Sequence, residues 1–225
     1  MQRRLEPELM NGDAQVQAYA AADFSSGDQA TIEAIQRLVF SSSPMPPDPL
    51  VVDMGCGPGN ITLRLAHLFP KARIIGIDGA ESMLALARER AEKQKLDISF
   101  LCQTLQDVLR GPLLGQADLI VSNSLLHHLH QPDLLWRVTQ ALAAPACRAL
   151  HRDLRRPSSD AEIEQLLLKH LPSAPEVLQR DFTASLAAAF EPQEVTAELH
   201  RLGLNQLTVS AEDDRYLVVS GLVKS

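Results

Sequence analysis

The sequence predicts an α/β fold: a doubly wound, mostly parallel sheet of seven strands, helices on both faces, and an antiparallel hairpin at the C-terminal end. Three observations carry this prediction. Short apolar or β-branched runs alternate with helical periods between residues 50 and 151. That alternation gives parallel strands joined by right-handed helical crossovers. The chain has 225 residues, 45% of them apolar, enough for one sizeable core. It closes on two strand-like segments separated by a short polar turn.

Each element has its own warrant. ATIEAIQRLVF (30–40) is the first helix, and the loop SSSPMPPDP after it holds four prolines in six residues, which stop a helix by removing N–H donors. LVVD (50–53), RIIGID (73–78), DISFL (97–101), ADLIVS (117–122) and CRALH (147–151) are five short strands. Between them lie the helices ITLRLAHLF (61–69), ESMLALARERAEKQ (81–94), a weaker segment near 104–111, and PDLLWRVTQALA (132–143). Residues 157–202 are longer than one crossover needs. Pro157, Pro172, Pro175 and Pro192 divide them into two or three further helices, with Pro192 suited to a first turn. LNQLTVSA (204–211) and RYLVVSGL (215–222), joined by EDD, make the hairpin. The expected organisation is one domain: an N-terminal helical lid and loop (1–49), a cofactor-binding core (50–156), a helical insert capping the substrate (157–202) and the hairpin (203–225).

Composition excludes several classes. A net charge of -7 leaves no broad basic face for nucleic acid, and 4% aromatic residues cannot build a base-stacking platform. MQRRLEPELM lacks the apolar stretch of a signal peptide, and no run of 18 apolar residues occurs. The expectation is therefore no membrane partner and a cytoplasmic location. Cys56, Cys102 and Cys147 are odd in number and far apart, which reads as reduced thiols.

The stretch that carries chemistry is LVVDMGCGPGN (50–60). Asp53 ends the first strand, and Gly55, Gly57 and Gly59 turn the chain into the next helix. Glycine permits positive φ and lets a ligand reach the backbone, and the helix start offers unpaired N–H groups. A dinucleotide fingerprint is GxGxxG, whereas position 60 here is Asn, which argues against a nicotinamide-dependent oxidoreductase. Asp78 ends the second strand, where a carboxylate can accept both hydroxyls of a ribose; it also suits the N-cap of the helix near Glu81.

These segments resemble the class I S-adenosylmethionine-dependent methyltransferases. VVDMGCGPGNITLRLA is similar to that family's first motif, IIGIDGAESMLALAR to its second, and ADLIVSNSLLHHLHQPDLLWRV to its fourth strand and following helix. The resemblance implies a Rossmann-like fold, methyl transfer, and S-adenosyl-L-methionine as cofactor. By the same resemblance Gly55, Gly57 and Gly59 wrap the methionine portion, Asp53 lies near its amino group, Asp78 binds the ribose and Met83 packs on the adenine. Thr104 stands where the family often has Asp, so Thr104 and Leu105 take the adenine end. Ala80 stands where the family often has Ser. Tyr19, with Phe24, is expected to close over the donor.

Strands of such a sheet present ligands at their carboxyl ends. Ser122 and Asn123 are thus expected beside the cofactor, and His127 near the acceptor, either as a general base or as a hydrogen-bonded structural histidine under the loop. Arg152, Asp153 and Arg155, in RDLRR after the fifth strand, are expected to orient a polar or anionic substrate. His127, His128 and His130 with Asp133 also admit a metal reading, but HHxH rarely offers three ligands to one ion, and no metal is expected. The chain lacks the Asp/Asn-Pro-Pro-aromatic box of amino-group methylation and the Pro-Cys pair of cytosine methylation. A small-molecule acceptor is expected, with RNA or protein as alternatives. The rival from another class is a non-catalytic protein that keeps the nucleoside pocket.

Overall fold

The structure, a computed structural model, describes residues 1–6, 22–41 and 43–223. The helices are α1 (Ser25–Phe40), α2 (Asn60–Leu68), α3 (Glu81–Lys93), the single turn α4 (Leu105–Val108), α5 (Asp133–Leu142), α6 (Asp160–His170), α7 (Glu176–Ala188) and α8 (Pro192–Arg201). The strands are β1 (Leu50–Met54), β2 (Arg73–Asp78), β3 (Ile98–Cys102), β4 (Ala117–Asn123), β5 (Ala143–Leu154), β6 (Leu207–Glu212) and β7 (Tyr216–Leu222). The seven form one sheet in the order β3-β2-β1-β4-β5-β7-β6. The first five are parallel, and β7 runs antiparallel between β5 and β6. The order reverses between β1 and β4, the switch point at which doubly wound sheets open a crevice for ligands.

Strand alternation builds two cores. Leu50, Val52 and Met54 of β1 join Leu135, Trp136 and Leu142 of α5 and Val195 and Leu199 of α8 on one face. Val51 joins Ile32 and Ile35 of α1 and Ile61 and Leu65 of α2 on the other. β1 is buried along its whole length, which is why Leu50, Val51 and Val52 are apolar on both faces rather than alternating, with Asp53 as the one buried acid. Trp136 is fully buried, and its indole N–H donates to Glu198 Oε2 at 2.9 Å. Truncating such a side chain costs about 3–5 kcal/mol.

Three departures from the sequence reading concern the periphery. α1 begins at Ser25, ahead of the apolar period, because its first turn packs at the crevice. β5 extends to Leu154, with a register irregularity against Ala117 and Leu119 of β4. The insert holds three helices with two destinations. α8 is the crossover that packs against β6, whereas α6 and α7 pack on one another and bury Ile163, Leu166 and Leu186 against Leu154 and Met1. Residues 1–6 run beneath that pair: Arg4 N–H donates to Ala187 O, and the Arg3 guanidinium donates to the carbonyls of His127 and Leu129 at 3.0 and 2.9 Å.

Candidate active site

The glycine turn begins where β1 ends. Gly55, Gly57 and Gly59 have φ of 66°, 51° and 84°, in the left-handed region that side chains strain. Gly55 needs its lack of a side chain for packing, since a Cβ would stand 2.7 Å from Leu125 Cδ1. Around a Cβ on Gly57 nothing lies within 4 Å, so its backbone is bare to a ligand. Gly59 serves another purpose than the one expected. It lies outside the cavity, and its missing Cβ lets α2 approach Ala87 of α3, 3.2 Å from where that atom would be.

Above the turn is a cavity of about 670 Å³, within the size range of small-ligand sites. It brings together Asp53, Gly55, Gly57, Asp78, Met83, Thr104, Leu105, Asn123, His127 and Arg152 from the sequence-predicted set. Tyr19 lies outside the described residues; Phe24 lines the cavity. Asp78 accepts the N–H groups of Gly57 and Ala80, both at 2.8 Å, so it fixes the turn as well as facing the cavity. Thr104 caps α4, exchanging hydrogen bonds with Asp107.

The carboxylates at this end are shifted by burial. Asp53 is 1% exposed, accepts the Thr62 hydroxyl at 2.6 Å, and is pushed up to about 7 by desolvation. Desolvation also raises Asp78. Asp28 of α1, which the sequence did not single out, is raised to about 6 by burial against the opposing pull of Arg64. Three acids beneath one cavity favour a cationic ligand there.

Basic side chains line the same cavity. Arg152 is 2% exposed, lies over the Tyr216 ring at 3.5 Å, and approaches Glu212 and Asp213 at 3.6 and 3.7 Å. Its Nε is buried without a hydrogen-bond partner among the described residues. His170 and Arg215 line it as well, and Leu178, Phe182 and Ser185 of α7 form one wall. Apart from Arg152, these residues carry no local motif; the fold alone gathers them.

Three expectations are corrected, Ser122 and Asp153 by strand parity and Arg155 by the end of the strand. Ser122 is buried on the α5 side, bonded to His151 Nδ1 at 2.9 Å, while Asn123 faces α1 and accepts the Thr31 hydroxyl at 2.8 Å. Asp153 likewise turns away from the cavity and accepts the Leu126 and Leu154 N–H groups at 2.6 and 2.7 Å. Its remaining bond is to His127 Nδ1 at 2.5 Å. Arg155 lies past the strand end, bonded to carbonyls of Asp213 and Asp214 in the β6–β7 turn, outside the cavity.

His127 is 4% exposed and sits between carboxylates, with Nδ1 on Asp153 and Nε2 3.5 Å from Glu6 Oε1. Burial lowers its basicity, but Asp153 and Glu6 outweigh this and the net shift is upward.

Fold and site together define a doubly wound domain with a nucleoside-sized crevice at its switch point, lined by buried acids and a buried arginine. Residues 51–153 match the family model described as a methyltransferase domain. Those residues are thus similar to methyltransferase domains. The chain is 40% identical over 102 residues to trans-aconitate 2-methyltransferase of Variovorax paradoxus, covering 44% of this chain and 37% of that one. Malonyl-[acyl-carrier protein] O-methyltransferase of Bacillus cytotoxicus is 36% identical over 80 residues, covering 36% and 26%. The chain thus spans less than half the length of these curated relatives. The fold matches the crystal structure of a SAM dependent methyltransferase from Aquifex aeolicus with a TM-score of 0.66, at 17% identity, over 92% of this chain and 97% of that one. Among the described residues no helix is long and apolar enough to cross a membrane.

Proposed function

We propose that this protein transfers a methyl group from S-adenosylmethionine to a carboxylate oxygen of a small organic acid. The observation that carries the reading is Arg152. A fully buried guanidinium whose Nε makes no hydrogen bond among the described residues, with Glu212 and Asp213 only at ion-pair distance, lines the same cavity as the bare glycine turn and its acids. A buried cation of this kind is stabilised by an anionic ligand. The names of both curated relatives specify acceptors built on carboxylic acids, trans-aconitate and a malonyl group.

The residues divide by charge. Asp78 and the bare Gly57 backbone suit the ribose and methionine portions of the donor, Asp53 its ammonium group, and Met83 and Leu105 the adenine. When bound, the sulfonium donor supplies an electrophilic methyl group. The chain then has to hold the acceptor oxygen in line with it and exclude water. Arg152, lying over Tyr216, presents its fork to the acceptor carboxylate. A carboxylate is already a nucleophile at neutral pH and needs no base, so His127 acts here by position rather than by taking a proton. Helices α6 and α7 form the wall that selects the acceptor. We place the protein in the cytoplasm, supported by its free Cys56, Cys102 and Cys147.

Incubating the purified protein with donor and a panel of di- and tricarboxylic acids tests this by mass spectrometry. A gain of one methylene as an ester is expected. Methylation only of amines, RNA or protein defeats the carboxylate assignment, and failure to bind S-adenosylhomocysteine in calorimetry defeats the donor assignment.

A further inference from the structure

At the edge of the cavity, three side chains converge that the methyl-transfer reading does not use as a group. Glu6, His127 and His128 each bring one ligand-type atom within 4.8 Å of the other two. Glu6 arrives from the N-terminal segment and the histidines from the short 3₁₀ turn Leu126–His128. Glu6 Oε1 lies 3.2 Å from His128 Nδ1 and 3.5 Å from His127 Nε2.

Those contacts are not hydrogen bonds. Glu6 Oε1 and His128 Nδ1 are both buried and have no hydrogen-bond partner among the described residues, although the Glu6 side chain is only 9% exposed. Leaving a carboxylate oxygen and an imidazole nitrogen buried and unsatisfied is unfavourable. Their spacing matches another arrangement. Zinc bonds imidazole nitrogen and carboxylate oxygen at about 2.0–2.1 Å, so tetrahedral ligand atoms sit about 3.4 Å apart.

The surroundings also fit. A metal-bound histidine generally gives its other ring N–H to a carboxylate, which fixes the tautomer. His127 Nδ1 does this to Asp153, itself held by two backbone N–H groups. Arg3 binds the carbonyls of His127 and Leu129, and His130 Nε2 meets the Glu6 carbonyl at 2.7 Å, so both ligand-bearing segments are pinned. Of the residues in the HHxH segment, His130 and Asp133 are not in this cluster, and Glu6, over 120 residues away, is.

We infer that Glu6, His127 and His128 form a site for a zinc-type divalent cation at the rim of the cavity, with three protein ligands and a fourth position for water or an acceptor oxygen. Three ligands and an open position are the pattern of zinc sites that meet substrate. The ion would also tie residues 1–6 to the 3₁₀ turn.

Chelator-stripped full-length protein is titrated with Co²⁺ and followed by visible absorption, with Zn²⁺ as competitor. The expected result is one Co²⁺ per chain, with the bands of a four- or five-coordinate ion, abolished by Zn²⁺. E6Q and H128A should each weaken binding at least tenfold, and D153N about 10–100-fold as loss of an orienting carboxylate. E6Q is isosteric and at the rim, so it keeps the test valid if D153N fails to fold, as circular dichroism would show. Absent bands, or Co²⁺ binding unchanged in E6Q and H128A, overturns the site. S-adenosylhomocysteine affinity of the stripped protein, measured separately, keeps this outcome distinct from the fate of the methyl-transfer reading.

Discussion

Arg152 lies over Tyr216, its guanidinium carbon 3.5 Å from the ring centroid, and the two reach the cavity from adjacent antiparallel strands, β5 and β7. The stack holds the planar fork in one orientation while the nearby acids Glu212 and Asp213 stay beyond hydrogen-bond distance. A charged hydrogen bond of this kind contributes about 1.5–3 kcal/mol. Arg152→Gln should therefore raise the acceptor's KM about 10–100-fold, with donor affinity nearly unchanged. Arg152→Lys should recover only part, because an ammonium cannot reproduce the stacked fork. Arg155→Ala, outside the cavity, should leave KM unaltered. Steady-state kinetics on the methylated acid decides, and equal effects at the two arginines would refute the assignment.

Asp78 holds Gly57 and Ala80 by their N–H groups and faces the cavity. Asp78→Ala should cost about 2–4 kcal/mol of donor affinity, since the ribose contact and the shape of the turn go together. Asp78→Asn, which keeps one acceptor oxygen for the backbone, should lose less. Calorimetry with S-adenosylhomocysteine measures both, and an unchanged dissociation constant in the alanine variant removes Asp78 from the site.

Asp53 predicts a proton signal. Desolvation raises it to about 7 in the free protein, so it is largely protonated at pH 6. If the donor's ammonium group meets it, binding favours the ionised form and releases up to one proton. The observed binding enthalpy at pH 6 should then vary with buffer ionisation enthalpy, and the dependence should vanish above about pH 8. Absence of that dependence at pH 6 separates Asp53 from the ammonium group.

Asp53 and His151 pull stability in opposite directions. His151 is buried between Ser122 and Thr139, and burial lowers it to about 3. Between about pH 4 and 6.5 the unfolded chain protonates His151 while the folded chain does not, so this group adds stability as pH rises. Asp53 is protonated in the folded state and ionised in the unfolded one across the same window, so it removes stability as pH rises. Each contributes a slope of about 1.4 kcal/mol per pH unit, of opposite sign. Relative to the parent, Asp53→Asn should make stability climb more steeply with pH, and His151→Gln should make it fall. Urea unfolding at several pH values checks the signs, and a reversal of either locates the protons elsewhere.

The sequence by itself determined the sheet, the turn and the likeness to methyltransferase domains. Mostly apolar runs define buried parallel strands because both faces are covered by helices, and glycines at 55 and 57 are favoured by positive φ wherever the chain goes next. Asp53 and Asp78 follow because the ends of adjacent strands are fixed once the sheet is. What only the tertiary structure decided was the side to which each residue at a strand end turns. Ser122 and Asp153 went beneath the sheet while Asn123 and Arg152 went to the cavity, since alternation exchanges faces with every residue. It also decided which distant segments meet: Asp28 under the glycine turn, Tyr216 behind Arg152, and Glu6 between His127 and His128. No local pattern marks such contacts, because a single side chain far along the chain carries no periodicity. Packing across the whole domain, rather than any stretch of sequence, brings those residues together.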